Sequence, residues 1–157
     1  MNQKNRPENF IAGNPGARRN YSIEEELEAG LVLKGWETKS LRRKRINLKE
    51  AYAYVKDGEA WLIGVHISPL LSCGQPSEAE ARRTRKLLLN KREIASLMKA
   101  RQQKGLTVVA LSVYWKKNRV KIKLGLGRGK KMHDKRSDEK KRDWLIEKQR
   151  ILKKRSR

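Results

Sequence analysis

Apolar positions fall in short alternating runs separated by glycine or polar turns, a pattern that predicts strands more often than helices. The plainest run is Arg119–Leu126. There Val120, Ile122 and Leu124 alternate with Arg119, Lys121 and Lys123, so one face is apolar and the other wholly cationic. Its partner is Leu106–Trp115, joined to it through Lys116-Lys117-Asn118. A second hairpin pairs Ala51–Lys56 with Ala60–Ile67 across Asp57-Gly58, residues that supply the positive φ angles of a two-residue turn. In Tyr21–Lys34, Ile23, Leu27, Leu31 and Leu33 are mixed with Glu24-Glu25-Glu26. Helix and strand compete there, and Ala29-Gly30 tips the balance to strand. In Arg82–Asn90, Arg82, Arg83, Arg85 and Lys86 precede Leu87-Leu88-Leu89, a run short enough for a buried strand. Two stretches read as helix. Trp36–Arg45 is short and cationic. The other runs from Asn90, an N-cap answered by Glu93, to about Gln103, with a core stripe of Ile94, Leu97 and Met98 and a stop at Gly105. Residues 68–81, with Pro69 and Pro76, read as a loop. The expectation is a mainly β fold with short helices: a small closed barrel of the oligonucleotide-binding type, whose closure removes exposed sheet edges.

The two ends differ from this body. Residues 1–16, broken by Pro7, Gly13, Pro15 and Gly16, read as a flexible arm, and residues 17–127 as an RNA-binding β-barrel domain. Residues 128–157 hold fourteen cations against five anions and read as a basic tail, too charged to fold alone. Gly125, Gly127 and Gly129 read as the hinge between barrel and tail. Trp144 and Ile151, and Leu145 and Leu152, repeat at seven-residue spacing, which makes one narrow apolar stripe if Ser137–Lys153 is helical. Ser137 is a cap, Asp138 and Glu139 lie near the start, and Lys153-Lys154-Arg155 lie at the end, as the helix dipole favours. A lone helix of this length is marginal in water. The tail is therefore expected to be disordered when free and helical when bound.

Composition changes the picture from a barrel to a polyanion-binding barrel. The 157 residues carry a formal charge of +23, which makes nucleic acid the leading partner. Arg119/Lys121/Lys123, Lys39–Arg45 and Arg82–Lys86 together predict a broad phosphate-contacting surface. An anionic membrane surface competes, but no long apolar run accompanies the charge. Cys73 is the single cysteine, which excludes an internal disulfide and a Cys-based metal site and points to the cytoplasm. Catalytic chemistry finds no support. Gly125-x-Gly127-x-Gly129-Lys130-Lys131 has neither the spacing nor the hydroxyl residue of a phosphate-binding loop. His66 and His133 lack metal-ligand spacing, and Glu24-Glu25-Glu26-Glu28 makes no convergent carboxylate site. The chain reads as a non-enzyme without cofactor or metal. Glu28 reads first as a salt-bridge partner and second as an acceptor from a base amino group. Tyr21, Tyr52, Tyr54 and Trp36 are candidates for stacking on bases.

Several blocks carry a resemblance: Ala17-Arg18-Arg19-Asn20-Tyr21, Glu28-Ala29-Gly30, Gly35-Trp36-Glu37-Thr38-Lys39-Ser40-Leu41-Arg42, Asp57-Gly58-Glu59-Ala60, Arg85-Lys86-Leu87-Leu88-Leu89 and Gly129-Lys130-Lys131-Met132-His133-Asp134-Lys135-Arg136. Together they resemble the SsrA-binding protein (small protein B) family, over roughly residues 10–157. The resemblance implies a monomeric bacterial trans-translation factor. Its expected partners are the tRNA-like domain of transfer-messenger RNA, the stalled 70S ribosome at its decoding centre and messenger channel, and, through the RNA, elongation factor Tu. The tail is expected to enter the channel only where messenger is missing. By matching motifs, RNA contacts are expected at Asn14, Arg18, Tyr21, Glu28, Lys39, Arg42, Leu88 and Lys121. Ribosome and decoding contacts are expected at Gly129, Lys130, Lys131, His133, Asp134, Lys135, Arg136, Trp144, Ile151 and Leu152. The chain departs from the family at Pro15-Gly16, where basic residues are usual, and at Glu80-Ala81, where Asp-Pro is usual. A generic single-stranded RNA-binding barrel or a ribosomal protein is the competing reading.

Overall fold

Hairpins and the helix capped at Asn90 set the architecture, as the sequence pattern predicts. In the computed structural model, which describes residues 9–155, the chain forms β1 (Phe10–Gly13), α1 (Pro15–Asn20), β2 (Tyr21–Leu31), α2 (Gly35–Arg42), β3 (Ile46–Asn47) and β4 (Tyr52–Lys56). These are followed by β5 (Glu59–Ile63), β6 (His66–Ile67), α3 (Glu78–Ala81), β7 (Arg85–Leu88), α4 (Lys91–Lys104), β8 (Thr107–Lys116), β9 (Arg119–Gly129) and α5 (Met132–Arg155). The pairings run β8-β4-β5-β7-β2-β9, all antiparallel, and β9 then pairs with β8 again, so the order returns on itself. β1 extends the β8 edge beyond the reach of β4, and β3 and β6 form a separate two-stranded pair.

The turn chemistry matches the prediction at Asp57 and Gly58, whose φ angles are 52° and 72°. The Asn90/Glu93 capping box forms, and α4 stops at Gly105. Of its expected core stripe, Leu97 is buried and Ile94 packs partly, but Met98 is 40% exposed. The helix rests on the sheet along a narrower line than three residues require.

Two bulges decide what faces inward. In β8, Val108 and Ala110 point to the main core while Val109 and Leu111 point out; an irregularity between Ala110 and Ser112 reverses the phase and turns Val113 inward. In β2, a bulge between Ile23 and Glu25 leaves Ile23 outside and brings Leu27, Ala29 and Leu31 inside. The outward residues make a second small cluster of Ala17, Val109 and Leu111, with Tyr21 and Ile23 packed against it, beneath α1.

Three expectations need correction. The arm reading of residues 1–16 fails from Phe10 onward: Ile11 is buried at 4% exposure, and β1 pairs with β8 because that edge is otherwise open. Residues 1–8 lie outside the described residues. The three glycines are not a hinge but part of β9, paired with β2 as far as Tyr21 opposite Gly129. A Cβ on Gly127 would stand 2.5 Å from the Ser22 carbonyl oxygen, so close strand approach, not flexibility, requires glycine there. The body therefore reaches Gly129, two residues beyond the expected boundary. The loop at 68–81 also contains α3, capped by Ser77 accepting from the Glu80 N–H.

Candidate nucleic-acid interface

Of the three basic elements predicted to meet phosphate, one is spent inside the molecule. Arg85 is fully buried. Its guanidinium donates to Glu37 (2.9 Å) and to the carbonyls of Val65, Arg83 and Ala81 at 3.1, 2.9 and 3.0 Å. Arg83 donates to both Glu37 oxygens at 2.9 and 2.6 Å. Arg82 pairs with Glu78 at 2.7 Å and Lys86 with Glu59 at 2.6 Å. All four cations thus have carboxylate partners, and the 82–86 run ties β7 to α2 and α3 instead of forming a free phosphate surface. Burial pushes the Glu37 carboxyl up. The Arg83 hydrogen bond, the Lys34 N–H and the charges of Arg85 and Arg83 outweigh it and hold the group below the usual carboxylate range.

The cationic face of β9 is partly masked by the acidic stripe of β2. Glu24 pairs with Arg128 (3.4 Å), Glu26 with Lys123 (3.5 Å) and with Arg18, and Glu28 with Lys116 (3.0 Å). Glu28 also accepts from the Tyr114 hydroxyl. The Tyr114 hydrogen bond is the main reason its carboxyl sits below the ordinary range, with Lys116 and Lys121 adding to it. Burial and that same contact push the Tyr114 phenol up, so it remains a donor. The salt-bridge reading of Glu28 is what the geometry displays. Tyr114 and Lys116 went unread because their meeting with Glu28 depends on the strand register of β8, β9 and β2.

The third element stands free. Among the described residues none of Lys39, Arg42, Arg43, Lys44 and Arg45 forms an ion pair, and residues 42–45 are all exposed. Arg42 lies over the Trp115 ring, 5.9 Å from its centroid.

Glu28, Leu88 and Lys121 come together on the wall of one 590 Å³ groove, with Lys86 and Lys91 on its margin. Leu88 is 56% exposed. It stands there because Gly30, its pairing partner, has no side chain: a Cβ would lie 3.1 Å from that of Leu88. An exposed leucine between a carboxylate and an ammonium offers apolar contact flanked by both charges, a surface suited to a sugar–base edge. The other predicted contacts lie elsewhere. Arg18 is paired with Glu26, Tyr21 is half-buried beside the end of β9, and Asn14 is buried, its amide donating to Leu48 O (2.8 Å) and Ala110 O (3.1 Å).

The tail leaves the body at Gly129. The Lys130 N–H donates to Asn20 O (2.7 Å), and its ammonium pairs with Asp138 at 2.5 Å, lowering that carboxyl. Lys131, His133, Asp134 and Arg136 are exposed at the start of α5, and Lys135 is half-buried. Helix α5 begins five residues before the expected start. Trp144, Leu145, Ile151 and Leu152 are 62, 53, 47 and 56% exposed, so the apolar stripe faces no part of the described body. His66 sits on β6, 3.4 Å from Glu78. No cluster of potential metal ligands occurs among the described residues, and no helix among them is long and apolar enough to cross a membrane.

Comparison with known proteins places this geometry in context. A family model described as SmpB protein matches residues 11–154. An SsrA-binding protein of Alkalilimnicola ehrlichii is 51% identical over 151 residues, spanning 96% of this chain and 94% of its own. One of Coxiella burnetii is 52% identical over 143 residues, spanning 91% and 90%. A solved structure described as "tmRNA-SmpB: a journey to the center of the bacterial ribosome" matches with a TM-score of 0.64 and 41% identity, over 78% of this chain and 85% of its own.

Proposed function

The chain belongs to the SmpB family, and from that premise we propose that it is an RNA-binding factor of trans-translation in the bacterial cytoplasm. It binds the tRNA-like domain of transfer-messenger RNA and helps bring that RNA, with elongation factor Tu carried on it, to stalled ribosomes. The outcome is ribosome rescue and tagging of the nascent chain. The observation that carries this reading is the convergence of Glu28, Leu88 and Lys121, from three separate strands, in one groove. Lys39 and Arg42, without carboxylate partners among the described residues, supply phosphate contacts beside it, with Arg18 and Tyr21 toward the other end of β2. Asn14 acts by holding the turn before α1. The body, residues 10–129, is a closed barrel of the oligonucleotide-binding type, a reading supported by strand pairings that return from β9 to β8. The protein acts as a monomer.

The tail is the second half of the mechanism. Its uncovered stripe and dense charge support a segment that is disordered in the free protein and helical once surrounded by RNA. Lys130, Lys131, His133, Asp134, Lys135 and Arg136 meet the decoding centre, beginning at Gly129. Trp144, Ile151 and Leu152 lie deeper, in a messenger channel that intact messenger would occupy. The test is truncation after Gly129, which leaves β9 whole. Affinity for the tRNA-like domain is expected within about twofold of the full chain, with tagging on stalled ribosomes abolished. Loss of RNA binding on truncation would overturn this division of labour.

A further inference from the structure

Helix α4 borders two depressions that share no residue. Its first turn, with Lys91 and Ile94, lines the groove that holds Glu28, Leu88 and Lys121. Its later turns line a separate cleft of 320 Å³ between the helix and β4. The floor of this cleft is the core itself: Ala53, Leu97 and Val108 are 7, 2 and 5% exposed. Met98 follows Leu97 in the stripe that the sequence assigns to the core, yet it stands 40% exposed in the wall of the cleft. An unbranched, polarisable side chain over an open apolar floor is the makeup of surfaces that accept apolar side chains of varied shape. Charge is a separate observation. α4 carries Lys91, Arg92, Lys99, Arg101 and Lys104 against Glu93 alone, and Glu93 is spent on the cap, accepting from the Asn90 N–H at 2.7 Å. None of these five cations forms an ion pair among the described residues, whereas the four of Arg82–Lys86 all have carboxylate partners. Arg101, exposed and one helical turn beyond Leu97 and Met98, is the cation that lines the cleft.

We propose that this cleft docks an acidic amphipathic segment of a protein partner. An aliphatic side chain of the segment covers Leu97 and Val108 and lies against Met98, the way apolar anchors of a peptide fill a groove. A carboxylate one helical turn away meets Arg101, whose planar fork donates two parallel hydrogen bonds to it. The Gln102 amide, exposed next to Arg101, serves the backbone of the segment as donor and acceptor. Lys99 and Lys104, on the same helix, steer an acidic segment in and repel a basic one. The volume is at the small end of ligand pockets, which run to about 300–1,000 Å³, and suits one anchor side chain. Nucleic acid has the same sign of charge as such a segment, and the lining decides against it. Ala53, Val55, Leu97, Met98 and Val108 offer aliphatic carbon, with no group to read a base edge, and Tyr54 is the single ring in the lining. The proposal does not rest on the RNA-binding reading above, since the occupant and the residues are both different.

Met98 serves as the reporter. The full chain, labelled with carbon-13 at its methionine methyls, is titrated with a short peptide of glutamates whose leucines stand one helical turn apart. Parallel titrations use the same peptide with serine for leucine, the same peptide with lysine for glutamate, and oligouridylate. The Met98 methyl resonance is expected to shift saturably with the leucine–glutamate peptide and with none of the other three, while Met132, exposed at the start of α5, registers any loose attraction to the basic tail. Arg101→Ala is expected to weaken the peptide about tenfold, the worth of one charge-assisted hydrogen bond. Met98→Asp is expected to abolish saturable binding. Both side chains are exposed, so the urea midpoint of each variant should match the parent, and affinity for the tRNA-like domain should stay within about twofold. An unmoved Met98 resonance overturns the proposal. An equal shift with the serine peptide overturns it by reducing the cleft to bare charge, and an equal shift with oligouridylate overturns it by assigning the cleft to nucleic acid.

Discussion

Replacing Glu37 by alanine probes the joint on which the cationic helix α2 rests. Glu37 is fully buried and accepts from Arg83 and Arg85 and from the Lys34 N–H at 2.7 Å, which caps α2. The substitution leaves Arg85, also fully buried, without its counter-charge. Removing one member of a buried pair costs about 3–5 kcal/mol. The lower end applies here, because Arg85 keeps its three carbonyl acceptors and the partly exposed Arg83 regains water. A loss of about 3 kcal/mol is a large share of a domain's 5–15 kcal/mol. In urea, followed by the fluorescence of the four tryptophans, it moves the midpoint down by roughly 1–3 M for ordinary m-values. The double replacement Glu37→Leu with Arg85→Met is expected to recover most of the loss, since no charge is then stranded. The pH dependence carries a fixed sign. The folded pKa of Glu37 is depressed, so its contribution is present above the unfolded value of about 4.3 and fades as pH falls through the lower folded value. Parent and Glu37→Gln therefore converge in stability in strong acid and diverge toward neutrality. A midpoint shift below about 0.3 M for Glu37→Ala, on the same m-value scale, would refute the view of Glu37 as the counter-charge of the core.

Three further outcomes follow from the geometry. Gly127→Ala forces a Cβ to within 2.5 Å of the Ser22 carbonyl oxygen; about 1–3 kcal/mol and several degrees of Tm are expected to be lost in a thermal melt, and an unchanged melt would contradict the close-approach argument. Glu26→Gln removes the counter-charge of Arg18 and Lys123, so binding to non-cognate RNA should tighten and its log–log salt slope steepen by about one unit; an unaltered slope would mean that these cations do not reach phosphate. Changing Ile151 and Leu152 together to alanine removes apolar surface that nothing in the body covers, so urea stability should stay the same while tagging falls, and normal tagging would separate the stripe from function.

Local signals were the legible ones. Asp57-Gly58, the Asn90/Glu93 box and the Val120/Ile122/Leu124 alternation each act within a few residues, and each formed as read. What escaped depends on contacts distant in sequence. Phe10–Gly13 is a strand only because β8 offers it an edge about a hundred residues later. The bulges that reverse the facing of Ile23 and Val113 leave no trace in composition. Charge misled most at Arg82–Lys86: a run of cations reads the same whether it meets phosphate or, as here, Glu37, Glu59 and Glu78. The Gly125/Gly127/Gly129 spacing read as freedom and is in fact crowding. For the site, the motif resemblance named Glu28, Leu88 and Lys121, but their single groove follows only from β2 lying between β7 and β9.

The return of β9 onto both β2 and β8 has a consequence for how the protein is made. Register with β2 runs from Tyr21 opposite Gly129, so the earliest long strand waits for the latest one. Until residue 129 has been synthesised, β2 and β8 each keep an unpaired edge, the condition that invites mispairing with other chains. A copy of this protein cut short by a broken messenger inside β9 would thus be an open, adhesive intermediate. Only the stretch after Gly129 can be lost without leaving those edges bare.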